Sequence, residues 1–113
     1  MKFTASLKKN YEFRRLYNKG KSAASQFAVV YCRRNGSDGN RLGITVSAKI
    51  GGAVQRNRIR RRLKEIYRLN EDKLKTGFDI VFVARGRSRN AGYKELESSV
   101  LRLLEKLKLS SAI

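Results

Sequence analysis

The chain has 113 residues, of which 41% are hydrophobic, which suits one domain with one modest core. We therefore predict a single domain over residues 1–113. Lys and Arg number 27 against 9 Asp and Glu, giving a net charge of +18. A compact chain with this excess repels itself, and a polyanion relieves the repulsion, so nucleic acid is the expected class of partner.

The composition also excludes several kinds of chemistry. There is no His and only one Cys, so an imidazole base, an internal disulfide and a cysteine-based zinc site are excluded. The nine acidic residues are scattered, which argues against a two-metal nuclease site. No apolar run approaches the ~18 residues of a membrane span, and the first residues lack a signal-peptide pattern. We expect a cytoplasmic protein with no membrane partner.

The first predicted element is a helix over residues 11–18. Asn10 is its predicted N-cap, and Gly20 is its predicted stop. Phe13, Leu16 and Tyr17 share one face of this helix, because they follow the i, i+3, i+4 spacing.

Three strands are predicted next. Residues 21–25 form a short edge strand, and residues 27–33 form a strand that is largely apolar on both sides, so both faces of the sheet are expected to be covered. A strong turn signal at residues 35–40 leads into a return strand over residues 42–47. We expect the last two strands to form a hairpin.

The second half of the chain predicts a long helix over residues 53–69, a buried strand over 79–84, a basic loop over 85–90 and a last helix over 93–109. Leucines and a valine at helical spacing give the last helix one apolar stripe. The order αβββαβα predicts an α+β fold, a sandwich in which three helices pack on a small mixed β-sheet.

The long helix is unusually basic. Seven of the thirteen residues from 56 to 68 are Lys or Arg, and the only acid among them is Glu65. At ~100° per residue, Ile59, Leu63 and Ile66 form a narrow apolar stripe. The cations immediately beside that stripe are Arg56, Arg60 and Lys64. Like charges at i, i+4 destabilise a helix, so solubility alone is a poor reason for this row of three cations. Binding of phosphates in a groove between the helix and the sheet explains it better.

Residues 41–61 contain a Gly-Ile-Thr-Val-Ser strand followed by Ala-Val-Gln-Arg-Asn-Arg-Ile. This string is similar to the signature of the protein subunit of bacterial ribonuclease P, and residues 7–13 together with Gly20 resemble the first helix of that family. The length, the charge and the order of elements agree with the family over nearly the whole chain.

The resemblance implies a fold and a function. The family fold resembles the second domain of ribosomal protein S5 and contains a left-handed βαβ crossover, against the general right-handed rule. The implied function is that of a protein cofactor of the ribonuclease P ribozyme. It would bind the catalytic RNA and the 5′ leader of precursor tRNA and promote endonucleolytic removal of that leader.

The resemblance also implies site residues. The positions that match the family's RNA-facing motif are Lys49, Ala53, Arg56, Asn57, Arg58, Arg60, Arg61 and Lys64. Phe13 and Tyr17 match aromatic positions of the leader cleft, where aromatic rings stack on single-stranded bases. Val30 aligns with a cleft Tyr of the second strand, so Tyr31 is expected to point to the other side.

The chain departs from the family at a few positions. Gly52 stands where Asn is usual, Ala48 stands where a second Lys is common, and Val30 lacks an aromatic ring. Cys32 is interpreted as a small core residue rather than a reactive thiol.

No catalytic residue, bound cofactor or metal is expected in this chain, because the family's catalytic magnesium ions belong to the RNA subunit. The expected partners are that RNA, with one protein per RNA, and precursor tRNA. A ribosomal or other structural RNA-binding protein is the main alternative. An autonomous nuclease and a DNA-binding module are less favoured, because the chain lacks a carboxylate cluster and helix-turn-helix spacing.

Overall fold

A computed structural model describes residues 1–110, which contain three helices and a five-stranded sheet. The strands are β1 (Thr4–Ser6), β2 (Lys21–Ala24), β3 (Ala28–Arg34), β4 (Asn40–Thr45) and β5 (Phe78–Ala84). The helices are α1 (Asn10–Lys19), α2 (Ala53–Asn70) and α3 (Tyr93–Lys106). None of these helices is both long and apolar enough to cross a membrane.

The sheet is mixed, with the order β1-β4-β5-β3-β2. Strand β3 is antiparallel to both β2 and β5, whereas β4 is parallel to β5 and to β1. The predicted α+β class, with a small mixed sheet and three helices, is therefore confirmed. Helix α2 connects the parallel neighbours β4 and β5, and the left hand expected for that crossover stays a prediction.

The predicted hairpin between the third and fourth strands is wrong, because β5 lies between them. Asp79 of β5 pairs with Arg33 on one side and with Arg41 on the other. Three successive residues of β5, Ile80, Val81 and Phe82, are fully buried, so the most apolar strand takes the central position. The turn after β3 therefore bridges a gap of ~10 Å, two strand spacings, instead of closing a hairpin.

The sequence prediction missed β1. Its three residues, Thr4, Ala5 and Ser6, carry no apolar alternation, so no strand pattern marks them. Their pairing partners are residues 40–42, and a long-range parallel pairing leaves no local signal.

Helix ends differ slightly from the predictions. Helix α1 begins at Asn10, so the N-cap is Lys9, and the Glu12 side chain accepts a hydrogen bond from the Lys9 amide at 3.2 Å. Helix α3 ends at Lys106, three residues early, because Lys108 adopts φ 60° and turns the chain. Leu109 is still fully buried, although it reaches the core from outside the helix.

Both faces of the sheet are covered, as predicted. Helices α2 and α3 pack on the face that carries Ala28, Val30 and Cys32, and Cys32 is 3% exposed, as a core residue should be. Helix α1 packs on the opposite face, where Leu16 lies against Val81. The sheet thus separates a large core from a smaller layer under α1.

A buried carboxylate ties the N-terminal strand to the end of α2. Glu71 is 3% exposed and accepts hydrogen bonds from the Lys2 amide at 2.7 Å and the Thr4 hydroxyl at 2.6 Å. The Thr4 hydroxyl also lies 2.7 Å from the Tyr67 hydroxyl, which accepts a hydrogen bond from Asn40. This network places β1 beside β4 and so shapes one side of the candidate site.

Candidate nucleic-acid interface

Helix α2 presents its basic residues to solvent because its apolar stripe is used in the core. Ile59, Leu63 and Ile66 are at most 3% exposed and belong to the main core. The predicted stripe is therefore confirmed. Most of the cations beside it are exposed, with Arg56 only half-buried.

A groove of about 600 Å³ lies between α1 and α2, over β1 and β4. We call it the α1–α2 groove. Its lining includes Asn57, Arg60, Arg61 and Lys64 from α2, and Ala5, Ser6, Leu7, Phe13, Leu42, Gly43 and Ile44 from the rest of the fold. One wall is therefore cationic, and the opposite wall and floor are largely apolar. A single-stranded nucleic acid needs both kinds of surface, for its phosphates and its bases.

Gly43 allows Phe13 to lie directly on the sheet. A Cβ atom at position 43 would come within 2.5 Å of Phe13 Cε1, which is closer than such atoms approach. Gly43 is buried within β4, so any side chain there would displace the ring. An isolated glycine inside a strand is a known sign of close approach, and that signal could have identified this position from the sequence.

Tyr17 lies in a second hollow that shares Phe13 with the groove. This hollow has a volume of about 480 Å³, and its lining consists of Asn10, Phe13, Arg14, Tyr17 and Thr45. The Tyr17 hydroxyl lies 3.0 Å from the Thr45 hydroxyl, and the side chain is 38% exposed. The ring is therefore held in place and still accessible to a base.

The assignment of Val30 to this surface is wrong. Val30 is fully buried in the main core, on the face opposite α1. Tyr31, not Val30, occupies the position on the α1 side of the sheet. Its ring meets Tyr17 edge-on, with centroids 5.0 Å apart, within the layer under α1. Because alternate strand residues face opposite sides, the alignment that matched Val30 to a cleft aromatic shifted the side-chain order by one residue.

The remaining predicted residues lie outside the groove lining. Lys49 is exposed in a short 3₁₀ turn, and Ala53 and Arg58 are exposed on α2. Arg56 is half-buried, and its Nε is enclosed without a hydrogen-bond partner among the described residues. The structure therefore brings Asn57, Arg60, Arg61 and Lys64 together with Phe13. The other four predicted residues lie outside the groove, around the start of α2: Lys49, Ala53, Arg56 and Arg58.

Two cations on the far side of α2 already have partners within the fold. Arg62 donates a hydrogen bond to the Ala91 carbonyl at 2.9 Å, which fixes the start of α3 against α2. Arg68 forms a hydrogen-bonded ion pair with Glu65, which raises the pKa of Arg68 and lowers that of Glu65. These two side chains are less available to an external anion than those in the groove.

No acidic side chain of the described residues lines the α1–α2 groove, and the two acids on the other side of α1 form structural ion pairs. Glu12 and Asp79 both bind Arg41. The Lys9 amide and the Arg41 charge hold the pKa of Glu12 below its usual value, against the effect of burial. Within residues 1–110 no group of three or more acidic or Cys side chains is arranged to hold a metal ion. These residues offer no carboxylate cluster that fits magnesium.

These features define a class: a small, strongly basic α+β protein with a groove that combines aromatic and cationic side chains. A family model described as ribonuclease P matches residues 1–108. The chain is 48% identical over 111 residues to the ribonuclease P protein component of Alkaliphilus metalliredigens, covering 98% of this chain and 100% of that one. It is 46% identical over 108 residues to that of Clostridioides difficile, covering 95% of each.

Solved structures agree with the sequence relatives. The fold matches the ribonuclease P protein of Staphylococcus aureus with a TM-score of 0.87 and 34% identity, covering 94% of this chain and 97% of that one. It matches the Thermotoga maritima protein with a TM-score of 0.82 and 33% identity, covering 89% and 96%. The chain belongs to the ribonuclease P protein family. Membership implies a role in tRNA 5′ processing and a partnership with ribonuclease P RNA.

Proposed function

We propose that this chain is the protein cofactor of a ribonuclease P ribozyme, which binds the catalytic RNA and the 5′ leader of precursor tRNA. On this proposal, the exposed positions around the start of α2 contact the catalytic RNA. The leader occupies the α1–α2 groove and the hollow beside Tyr17. The product of the reaction is tRNA with its mature 5′ end.

The proposal rests on one observation: cationic and aromatic side chains line the same groove. Phe13 lies across from Arg60, Arg61 and Lys64, and Tyr17 continues the aromatic side. Phosphates of a single strand can follow the cations while its bases stack on the rings. A duplex cannot present unstacked bases to these rings, so the groove favours the single-stranded leader over the tRNA body.

The chain contributes position and charge rather than bond chemistry. It has no His, and no acidic side chain of the described residues lines the α1–α2 groove, so the groove supplies neither a general base nor a carboxylate cluster for magnesium. The catalytic magnesium ions are assigned to the RNA subunit. The cations of α2 would reduce the repulsion between two polyanions, and the groove would fix the leader relative to the cleavage site.

The proposal also covers the assembly and its location. One protein binds one catalytic RNA in the cytoplasm and forms no membrane contact. A ribosomal or other structural RNA-binding protein would share the basic surface but would not stimulate precursor cleavage.

Cleavage with and without the RNA subunit tests the proposal. Single-turnover cleavage of precursor tRNA is measured with protein alone, RNA alone and both, over a magnesium series. We expect no cleavage by protein alone and the largest stimulation at low magnesium, because magnesium partly replaces the charge of the protein. Site-specific cleavage by purified protein alone would contradict the proposal, as would a protein that adds nothing at low magnesium.

A further inference from the structure

A second basic pocket lies on the other flank of α1, away from the groove. Its volume is about 240 Å³, and its lining includes Glu12, Arg15, Arg33, Arg34, Arg41 and Asp79. Arg15 lies about 200° around the helix from Phe13, so the two side chains leave α1 in opposite directions. We call this the outer pocket, and the function proposed for the α1–α2 groove does not use it.

The two acidic side chains of the outer pocket both pair with one of its arginines, Arg41. Arg41 Nε and Nη2 donate to Asp79 at 2.8 and 2.7 Å, and Arg41 also binds Glu12. Asn35 Nδ2 donates to the same Asp79 at 3.1 Å. Both carboxylates therefore have an ion-pair partner in Arg41, and Asp79 has a further hydrogen bond from Asn35.

The other three arginines of the lining are not engaged by these two acids. Arg15, Arg33 and Arg34 are exposed, and within residues 1–110 no acidic side chain forms an ion pair with any of them. Arg34 stacks over Phe78, with its guanidinium 5.2 Å from the ring centroid. Because Phe78 packs against the main core, the Arg34 guanidinium lies toward the other face of the sheet. Arg15, Arg33 and Arg41 thus bring three guanidinium groups to a concave surface with two carboxylates, which leaves a net positive charge in a space large enough for a phosphate group.

An exposed aromatic side chain adjoins the same cations. Tyr11 is 51% exposed, and its ring centroid lies 5.9 Å from both Lys9 Nζ and Arg15 Cζ. A ring between cations offers a stacking surface to a base whose phosphate the cations bind. Free phosphate would use the arginines alone, so the ring favours a nucleic acid strand.

We propose that the outer pocket is a second RNA-binding site, in which Arg15 and Arg33 hold a backbone phosphate and Tyr11 stacks on an adjacent base. Guanidinium groups suit this ligand because they form paired hydrogen bonds with phosphate oxygens. The identity of the RNA rests on the proposed function: it is either the catalytic RNA or the distal part of the leader. In both cases the ligand is an RNA phosphodiester.

Matched double variants test this site. Arg15→Gln with Arg33→Gln removes two charges at the pocket, and Lys94→Gln with Arg102→Gln removes two exposed charges on α3. Affinities are measured for an oligouridine, for the catalytic RNA, and for precursor tRNA with short and long leaders. We expect the pocket variant to lose about tenfold in affinity for at least one of these RNAs, and the α3 variant to lose less than about twofold.

Two further measurements separate a local contact from diffuse charge. The slope of log affinity against log salt should become shallower by about 0.7–0.9 for each phosphate that the pocket variant no longer neutralises. Tyr11→Leu should weaken oligouridine binding without changing the salt slope, because it removes a ring and no charge. Arg15 and Arg33 make no side-chain hydrogen bond within residues 1–110, and thermal unfolding should show both double variants folded.

The pattern of affinity losses either identifies the RNA bound at the outer pocket or overturns the proposal. A loss with the catalytic RNA assigns the pocket to that RNA, and a loss only with the long leader assigns it to the distal leader. Equal losses in the two double variants, or no loss with any RNA, overturn the proposal. If the wild-type protein fails to stimulate cleavage, the proposed function fails, but the oligouridine comparison still decides whether the pocket binds RNA.

Discussion

At the scale of single residues, Tyr17 is both packed and accessible. Its ring contacts Tyr31 and its hydroxyl meets Thr45, yet more than a third of the side chain is exposed. A core residue would be less exposed, and an ordinary surface residue would not have both its ring and its hydroxyl held by neighbouring side chains. The combination suits a ring that receives a base.

Tyr17→Leu keeps apolar bulk but removes the ring. We expect binding of precursor tRNA with a leader to weaken by roughly 1–3 kcal/mol, the usual value of one stacked base. Binding of mature tRNA should stay unchanged, because it has no leader. Tyr17→Phe is the control: it loses only the hydrogen bond to Thr45 and should bind both RNAs as the wild type does. Equal weakening of both RNAs by Tyr17→Leu would make Tyr17 a structural residue.

Glu71 links stability to pH. Burial opposes its ionisation, but hydrogen bonds from Thr4 and the Lys2 and Phe3 amides outweigh burial and hold the pKa of Glu71 below its ordinary 4.5. A lowered pKa in the folded state means that the native protein binds fewer protons than the unfolded chain. The stabilisation is therefore complete above the ordinary pKa and is lost as the pH falls through the folded value.

Glu71→Gln should reduce the free energy of unfolding by about 1–3 kcal/mol at neutral pH, because charged hydrogen bonds become neutral ones. The difference from the wild type should shrink as the pH falls below 4.5, since the wild-type carboxylate then becomes protonated. Urea unfolding at neutral and acidic pH measures both values. A difference that stays constant with pH would show that Glu71 acts only by packing.

At the scale of elements, α2 was the most predictable part of the fold and β1 the least. The bounds of α2 and its buried stripe followed from a 3.6-residue period, which is a local property of the sequence. The positions of β1 and β5 depend on pairings with β4 that local patterns do not encode. The same limit applies to the site: the cations were found from the sequence, but the choice between Val30 and Tyr31 required the order of side chains along β3.

The cations of α2 that line the groove should contribute more to RNA affinity than the same number of cations elsewhere on the surface. Replacing Arg60, Arg61 and Lys64 by Gln removes three charges that line the groove, and replacing Lys94, Arg102 and Lys106 on α3 removes three exposed ones. We expect the first variant to lose at least tenfold more affinity for precursor tRNA, since each charged hydrogen bond contributes about 1.5–3 kcal/mol. Circular dichroism checks the folding of both. Equal losses would leave α2 only a diffuse electrostatic role.

At the scale of the whole molecule, the charge of +18 predicts strong dependence on salt. Each neutralised phosphate contributes a slope of about −0.7 to −0.9 to log affinity against log salt. The slope for the catalytic RNA should therefore correspond to several phosphates. Titration of complex formation from low to moderate salt measures it. A nearly flat response would mean that the basic surface is not the binding surface.

The short strand β1 has a consequence for the order in which the molecule folds and opens. It is an edge strand of three residues, and the carboxylate that secures it lies 69 positions after Lys2. Contacts so distant in sequence are costly in loop-closure entropy, so we expect the contacts of β1 with the end of α2 to form late in folding. Edge segments with few bonds also open first, without global unfolding. Since Ala5 and Ser6 line the groove, fraying of this one strand would change the width of the groove while the core stays intact.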